Sequence, residues 1–163
     1  NLKLLGFAGG TLQERMDYCN SSGIPPKDLL EYLYVESWDE PIASQAIKDG
    51  FSLALHPHMF MPIHTTNDAI ECLVKHPELR FLPDTGHLTI VGDDSVDAIK
   101  QAIKLDPKGK NDKIAAIHLK DWTPEYGHTS HRYARGFTEL GKGIVKFDPL
   151  LHYLKLISFK VKK

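Results

Sequence analysis

Asp84-Thr85-Gly86-His87 sets a carboxylate and an imidazole three residues apart, directly after the run LRFLP at 79–83. A short apolar run closed by turn residues reads as a buried strand, so both groups stand at its carboxyl end. An acid and a histidine in that place are the raw material of a metal or acid/base site. They equally suit an Asp that caps the following turn and a His on the surface. Gly86 lets the chain turn tightly between them without a Cβ clash. The pattern recurs. FSLAL at 51–55 runs into His56-Pro57-His58, and KIAAI at 113–117 into His118-Leu119-Lys120-Asp121. Neutral imidazoles from His118 and from His56 or His58, with the Asp84 carboxylate, make a mixed N/O donor set for Mn, Fe, Co or Zn. His58 is either such a donor or a hydrogen-bond partner of His56 or of a carbonyl. His87, with an ordinary pKa of about 6.5, suits substrate contact or proton transfer. Lys120 and Asp121 suit orienting substrate hydroxyls, or pairing with each other.

The surrounding pattern says how these residues are held. Residues 2–8 read as a strand closed by Gly9-Gly10, and 11–20 as a helix capped by Thr11 and stopped at 23–26. Residues 27–35 fit helix or strand. A clearer helix covers 39–49, with Asp39 as N-cap, Pro41 in the first turn and Gly50 at the C-cap. After the strand at 51–55 comes a helix at 66–76, with Ala69, Ile70, Leu73 and Val74 on one face and Pro77 at its end. Asp93 or Asp94 caps a helix reaching about residue 105, with Val96, Ile99, Ala102 and Ile103 inward. Residues 148–157 form a last amphipathic helix. Alternating helices and near-continuous apolar strands signal a parallel sheet covered by helices. His56 and Asp84 lie 28 residues apart, and Asp84 and His118 lie 34 apart. A (β/α)8 barrel of about 250 residues averages roughly 31 per unit. Strand carboxyl ends share one face in such sheets, so His56, His58, Asp84, His87 and His118 are expected to converge.

The 163 residues suit a single domain, 1–163. A hydrophobic fraction of 42% and a charged fraction of 25% are those of a soluble globular chain. Net charge of −1 gives no electrostatic case for nucleic acid or a membrane surface. No apolar run approaches the roughly 20 residues of a membrane span, and NLKLLGFAGG lacks the apolar region of a secretion signal. Cys19 and Cys72 have no metal-type spacing, so reduced thiols and a cytoplasmic location are expected. The loop at 122–135 holds His128, His131, Arg132, Tyr133 and Arg135. Loops this long are often functional, and Arg132 and Arg135 suit clamping a polar or phosphorylated substrate; a solvated basic loop is the alternative. His64, His76 and His152 read as surface residues.

LALHPHM at 53–59, LPDTGHLTIVGDD at 82–94, IHLKD at 117–121 and FTELGKGIVKFDPLL at 137–151 together resemble a known group. The chain resembles the sugar phosphate isomerase/epimerase superfamily of xylose isomerase-like barrels, and within it the inosose dehydratase-like branch. The resemblance implies an α/β fold, a partial (β/α)8 TIM-type barrel of about five to six βα units. It implies a divalent metal (Mn, Co, Mg, Fe or Zn) and a small-molecule substrate, a sugar or polyol ketone. Asp84 and His118 match the second and third metal ligands of the family. His56 stands where many members carry a Glu, and the fourth ligand, a Glu, would follow a segment similar to 157–161. The implied chemistry is proton removal beside a metal-polarised carbonyl through an enediolate, leading to epimerisation, isomerisation or dehydration. The resemblance puts residues 2–8 near the third strand and Glu139 in a packing turn. An incomplete barrel leaves open edges that favour a homo-oligomer. The competing expectation is an inactive metal-binding fragment, or a subunit completed by a partner chain. Related barrels that hydrolyse DNA need a basic groove, which the charge balance disfavours.

Overall fold

The structure, a computed structural model, describes residues 3–7, 20, 21, 23, 51–59, 61, 63–106, 112–126 and 136–159. The helices expected at 11–20 and 39–49, the segment 27–35, Cys19, and the loop residues His128, His131, Arg132, Tyr133 and Arg135 lie outside them.

Strands β1 (Lys3–Phe7), β2 (Phe51–Leu55) and β3 (Arg80–Phe81) form one parallel sheet in chain order. The register pairs Lys3 with Phe51, Phe7 with Leu55, and Leu55 with Phe81. Leu53, Ala54 and Leu55 are all buried without alternation, as a strand covered on both faces requires. The strand expected at 113–117 is reduced to two isolated parallel bridges beside β3, Phe81–Ile114 and Asp84–His118. The backbone N–H of Ala115 donates to the Phe81 carbonyl at 2.8 Å, and that of His118 to the Pro83 carbonyl at 2.9 Å. Consecutive strands therefore lie beside one another, in the order a barrel needs, and the barrel is not closed among the described residues.

Helix α1 (Thr66–Lys75) starts in a capping box between Thr65 and Asp68, which satisfies otherwise orphaned N–H groups. Its buried face is Thr66, Ala69, Cys72 and Leu73. Val74, expected on that face, is 60% exposed. The helix is rotated so that Cys72, a small apolar group, takes the inward position instead. Asp94, not Asp93, caps α3 (Ser95–Lys104) by accepting from Val96 and Asp97 N–H. Asp93 instead accepts from Thr66 N–H at 2.5 Å and ties the start of α1 to that turn. The inward face of α3 is Ser95, Ala98, Ile99 and Ala102, with Val96 and Ile103 only partly covered. Helix α4 (Phe147–Leu156) packs on α3 through buried Leu150.

Three elements were not anticipated. Thr85–Ile90 is a short helix, α2, where the sequence suggests a turn. Its C-cap is Val91, followed by Gly92, whose φ of +87° is a left-handed value that glycine adopts without strain. Strands β4 (Asp121–Trp122) and β5 (Phe137–Thr138) pair antiparallel and bring the two ends of the long loop together.

Candidate metal centre

Asp84 sits where β3 hands over to α2, and its two carboxylate oxygens do different things. Oδ1 accepts from the backbone N–H of Gly86 at 3.0 Å and of His87 at 3.1 Å, capping α2. Oδ2 faces Lys120 Nζ at 2.9 Å, His118 Nδ1 at 3.6 Å and His87 Nε2 at 3.8 Å. The plain reading of Asp84 as a cap is met by Oδ1, which leaves Oδ2 facing Lys120 and the two imidazoles. Asp84 is fully buried. Burial alone would raise its carboxyl pKa, but the Lys120 ammonium and the His87 ring and N–H outweigh it and hold the carboxyl below its ordinary value.

The histidines gather around that oxygen. His56 Nδ1 lies 3.0 Å from the Leu82 carbonyl, and His58 Nδ1 lies 2.9 Å from the Met59 carbonyl. A carbonyl only accepts, so each Nδ1 carries the proton and each Nε2 keeps a lone pair for the site. The His56 ring centroid is 4.8 Å from that of His118, 5.8 Å from that of His87 and 6.0 Å from that of His58. His58 and His87 are closer still, at 3.7 Å. Burial holds His87 well below the ordinary imidazole pKa, and it lowers His56 in the same direction. Both are neutral near pH 7, the form a metal takes.

His56, Asp84 and His87 each offer one donor atom, and these atoms lie within 4.8 Å of one another. Among the described residues, buried Asp84 Oδ2 and His87 Nδ1 have no aligned hydrogen-bond partner; Lys120 meets Oδ2 as an ion pair by distance alone. Unsatisfied buried polar atoms need an explanation, and two imidazoles and a carboxylate so disposed fit a divalent cation. The sequence reading gave His87 to substrate contact and proton transfer rather than to the donor set. His118, half exposed, has its Nδ1 3.6 Å from the same oxygen and its ring 4.8 Å from that of His56, but the three donor atoms that converge belong to His56, Asp84 and His87.

Thr85 fixes Lys120: its hydroxyl accepts from Lys120 N–H at 2.8 Å and donates to the Lys120 carbonyl at 2.6 Å. Lys120 Nζ also lies 3.3 Å from His87 Nε2 and 5.3 Å from the centre of the Phe137 ring. Phe137 meets His87 edge-on at 5.4 Å. Neither Thr85 nor Phe137 carries a signal in the sequence that would have marked it. The close approach also corrects the reading of Gly86. It lies inside α2 rather than at a tight turn, and a Cβ there would sit 2.7 Å from Phe137 Cε1 and 3.0 Å from Lys120 Cβ.

Asp121 does not pair with Lys120. Its Oδ2 accepts from the N–H of Gly141 and Gly143, both at 2.8 Å, and its Oδ1 from Trp122 at 2.9 Å and Val145 at 3.1 Å. Burial would raise its carboxyl pKa, but these backbone donors outweigh it and lower the value. In extended chain, neighbouring side chains point to opposite faces, which separates Asp121 from Lys120 and groups Lys120 with His118. The carboxylate of Asp121, expected to act on substrate, is thus committed to holding the 139–146 turn. Glu139 is exposed on that turn. His64 and His152 are accessible, but His76 is mostly covered, at 12%, as the C-cap of α1. A separate pocket of about 210 Å³, lined by Thr89, Asp93, Asp94, Val96 and Lys146, contains none of the clustered residues.

The family model described as xylose isomerase-like TIM barrel matches residues 8–160. No curated protein matches the chain significantly. Several solved structures share its fold. The probable 3-DHS dehydratase AsbF, involved in petrobactin synthesis in Bacillus anthracis, aligns at 19% identity and TM-score 0.55 over 94% of this chain and 51% of that one. The IOLI protein with a binding zinc atom aligns at 18% and TM-score 0.60, over 98% and 64%. A D-allulose 3-epimerase from Methylomonas sp. aligns at 17% and TM-score 0.50, over 96% and 47%. The chain thus spans between about half and just under two thirds of these relatives. Among the described residues, no helix is long and apolar enough to cross a membrane.

Proposed function

We infer function from one premise: this chain belongs to the xylose isomerase-like TIM barrel family. The function it supports best is that of a metal-dependent isomerase, epimerase or dehydratase of a sugar or polyol ketone, with residues 1–163 as part of a single barrel domain. One observation carries this reading. His56, His87, His118 and Lys120, from segments that follow β2, β3 and the bridge at Ile114, approach the buried Asp84 carboxylate, and His58 packs on His87.

Asp84 Oδ2 with His56 and with His87 or His118 would hold the divalent ion. When bound, such an ion supplies Lewis-acid polarisation of a substrate carbonyl. Where His118 rather than His87 is the second imidazole donor, His87, 3.3 Å from Lys120 Nζ, would serve substrate contact and proton transfer together with Lys120. His58, packed on His87, is the substrate-facing imidazole, and Arg132 and Arg135 are assigned the polar end of the substrate. Asp121 acts through the turn it holds. The dehydratase and epimerase among the fold relatives agree with chemistry beside a carbonyl, and the zinc of the IOLI structure agrees with the metal.

The test is metal content. Purified protein, equilibrated with zinc or manganese and then freed of excess, should hold about one equivalent, and an Asp84→Ala/His118→Ala variant should hold next to none. Equal and negligible metal in both removes the site. Loaded protein should then epimerise or dehydrate at least one keto-polyol of a panel. A second reading is a metal-binding chain that a partner must complete. Metal binding with no turnover across the panel would select it.

A further inference from the structure

Lys120 stands out among the clustered residues because it is a cation directed at the cation site. Its Nζ is 2.9 Å from Asp84 Oδ2, the oxygen that α2 capping leaves over. We propose that Lys120 is a resident counter-cation, a positioning residue that occupies the metal's place on Asp84 and that an arriving divalent ion must displace. This rests on the metal reading above and adds to it a competition within the protein.

Three observations support the displacement. Asp84 is wholly buried and its Oδ2 lacks an aligned hydrogen bond among the described residues, so without some cation its charge would stand uncompensated. Two cations cannot share one carboxylate oxygen without strong repulsion at low dielectric, so ammonium and metal exclude each other. Lys120 also has somewhere to go. Its side chain is 39% exposed, its flexible stem is anchored only at the backbone by Thr85, and the Phe137 face nearby offers a cation–π rest. Metal loading would thus free an ammonium beside His87.

The competition is measurable with zinc alone, by titrating the chelator-stripped full chain against a chromophoric zinc chelator. Lys120→Met, which removes the charge but keeps the length, should bind zinc at least 10-fold tighter than wild type. Lys120→Arg, which keeps the charge, should bind within a few-fold of wild type. If wild type binds zinc and Lys120→Met binds equally or more weakly, the competition is refuted while the metal site stands. If neither binds, the metal reading and this one fall together. Wild-type protein supplies an arm that does not depend on Lys120→Met folding. After reductive 13C-methylation, the Lys120 resonance, identified by its loss in Lys120→Arg, should shift on adding zinc; an unmoved resonance refutes displacement.

Discussion

Asp84 is where residue-scale chemistry and local structure meet, and its two oxygens can be separated by substitution. Asn is as good an N-cap as Asp but carries no charge. Asp84→Asn should therefore keep α2 capped and lose at least 10-fold in zinc affinity. Asp84→Ala should lose the same affinity and about a further 1 kcal/mol of stability from the missing cap. Chelator competition and urea denaturation on both variants read the two effects apart. The buried imidazoles predict a pH dependence. His87 and His56 titrate lower in the folded chain than when unfolded, so the unfolded state takes up their protons first. Their stabilisation is full above about pH 6.5 and is lost as pH falls below it. Metal-free protein should therefore have a lower urea midpoint at pH 5.5 than at 7.5, and His87→Gln should flatten that difference. Strand-end histidines of this kind are legible in sequence because an apolar run stops abruptly at them. The His-x-His spacing of 56 and 58 and the His-x-Lys spacing of 118 and 120 also put each pair on one side of an extended chain.

At the scale of elements, α1, α3 and α4 are readable from helical periodicity and caps, to within a residue or two at their ends. Helix α2 has 6 residues, too few for a periodicity to declare itself, and its capping Asp looks the same as a turn Asp. Strands β4 and β5 have 2 residues each, which is no pattern at all. These unreadable elements nonetheless shape the site through close contacts. Gly86→Ala would gain up to about 1 kcal/mol in helix propensity. Its methyl would press into the Phe137 ring and the Lys120 stem, an overpacking that typically costs about 1–3 kcal/mol. The expected result is net destabilisation and a disturbed Lys120, seen as a lower melting temperature and altered zinc affinity. A Cβ on Gly143 would overlap the Asp121 carboxylate and the Trp122 carbonyl, so Gly143→Ala should destabilise the protein while leaving zinc binding to folded protein within a few-fold of wild type.

The described residues form a parallel sheet that does not close into a barrel, with helices packed beside it, and one core runs through β2, α1 and α3. Cys72 reports on that core. It is a free thiol, 5% exposed, and burial pushes its pKa up to about 12. At pH 8 it should resist alkylation in native protein and react only as fast as the core opens, read by mass spectrometry of the Cys72 peptide. Rapid labelling would mean that α1 is not packed as described.

Local pattern alone settled where the strand at 51–55 ends, which residue types follow the apolar run at 79–83, whose strand is only Arg80–Phe81, and the boundaries of α1, α3 and α4 to within a residue or two, because each depends on a window of a few residues. The parallel α/β class follows from the alternation of those windows. Tertiary structure decided the partners. Lys120 meets Asp84, 36 positions away, rather than adjacent Asp121. His87 comes within reach of His56 and Asp84, and Asp84 turns one oxygen to the N-terminus of α2 and the other to Lys120. Such choices depend on which strand lies beside which and on the face each side chain takes, and Coulombic and hydrogen-bond energies fall off over a few ångströms of space, not over positions along a chain.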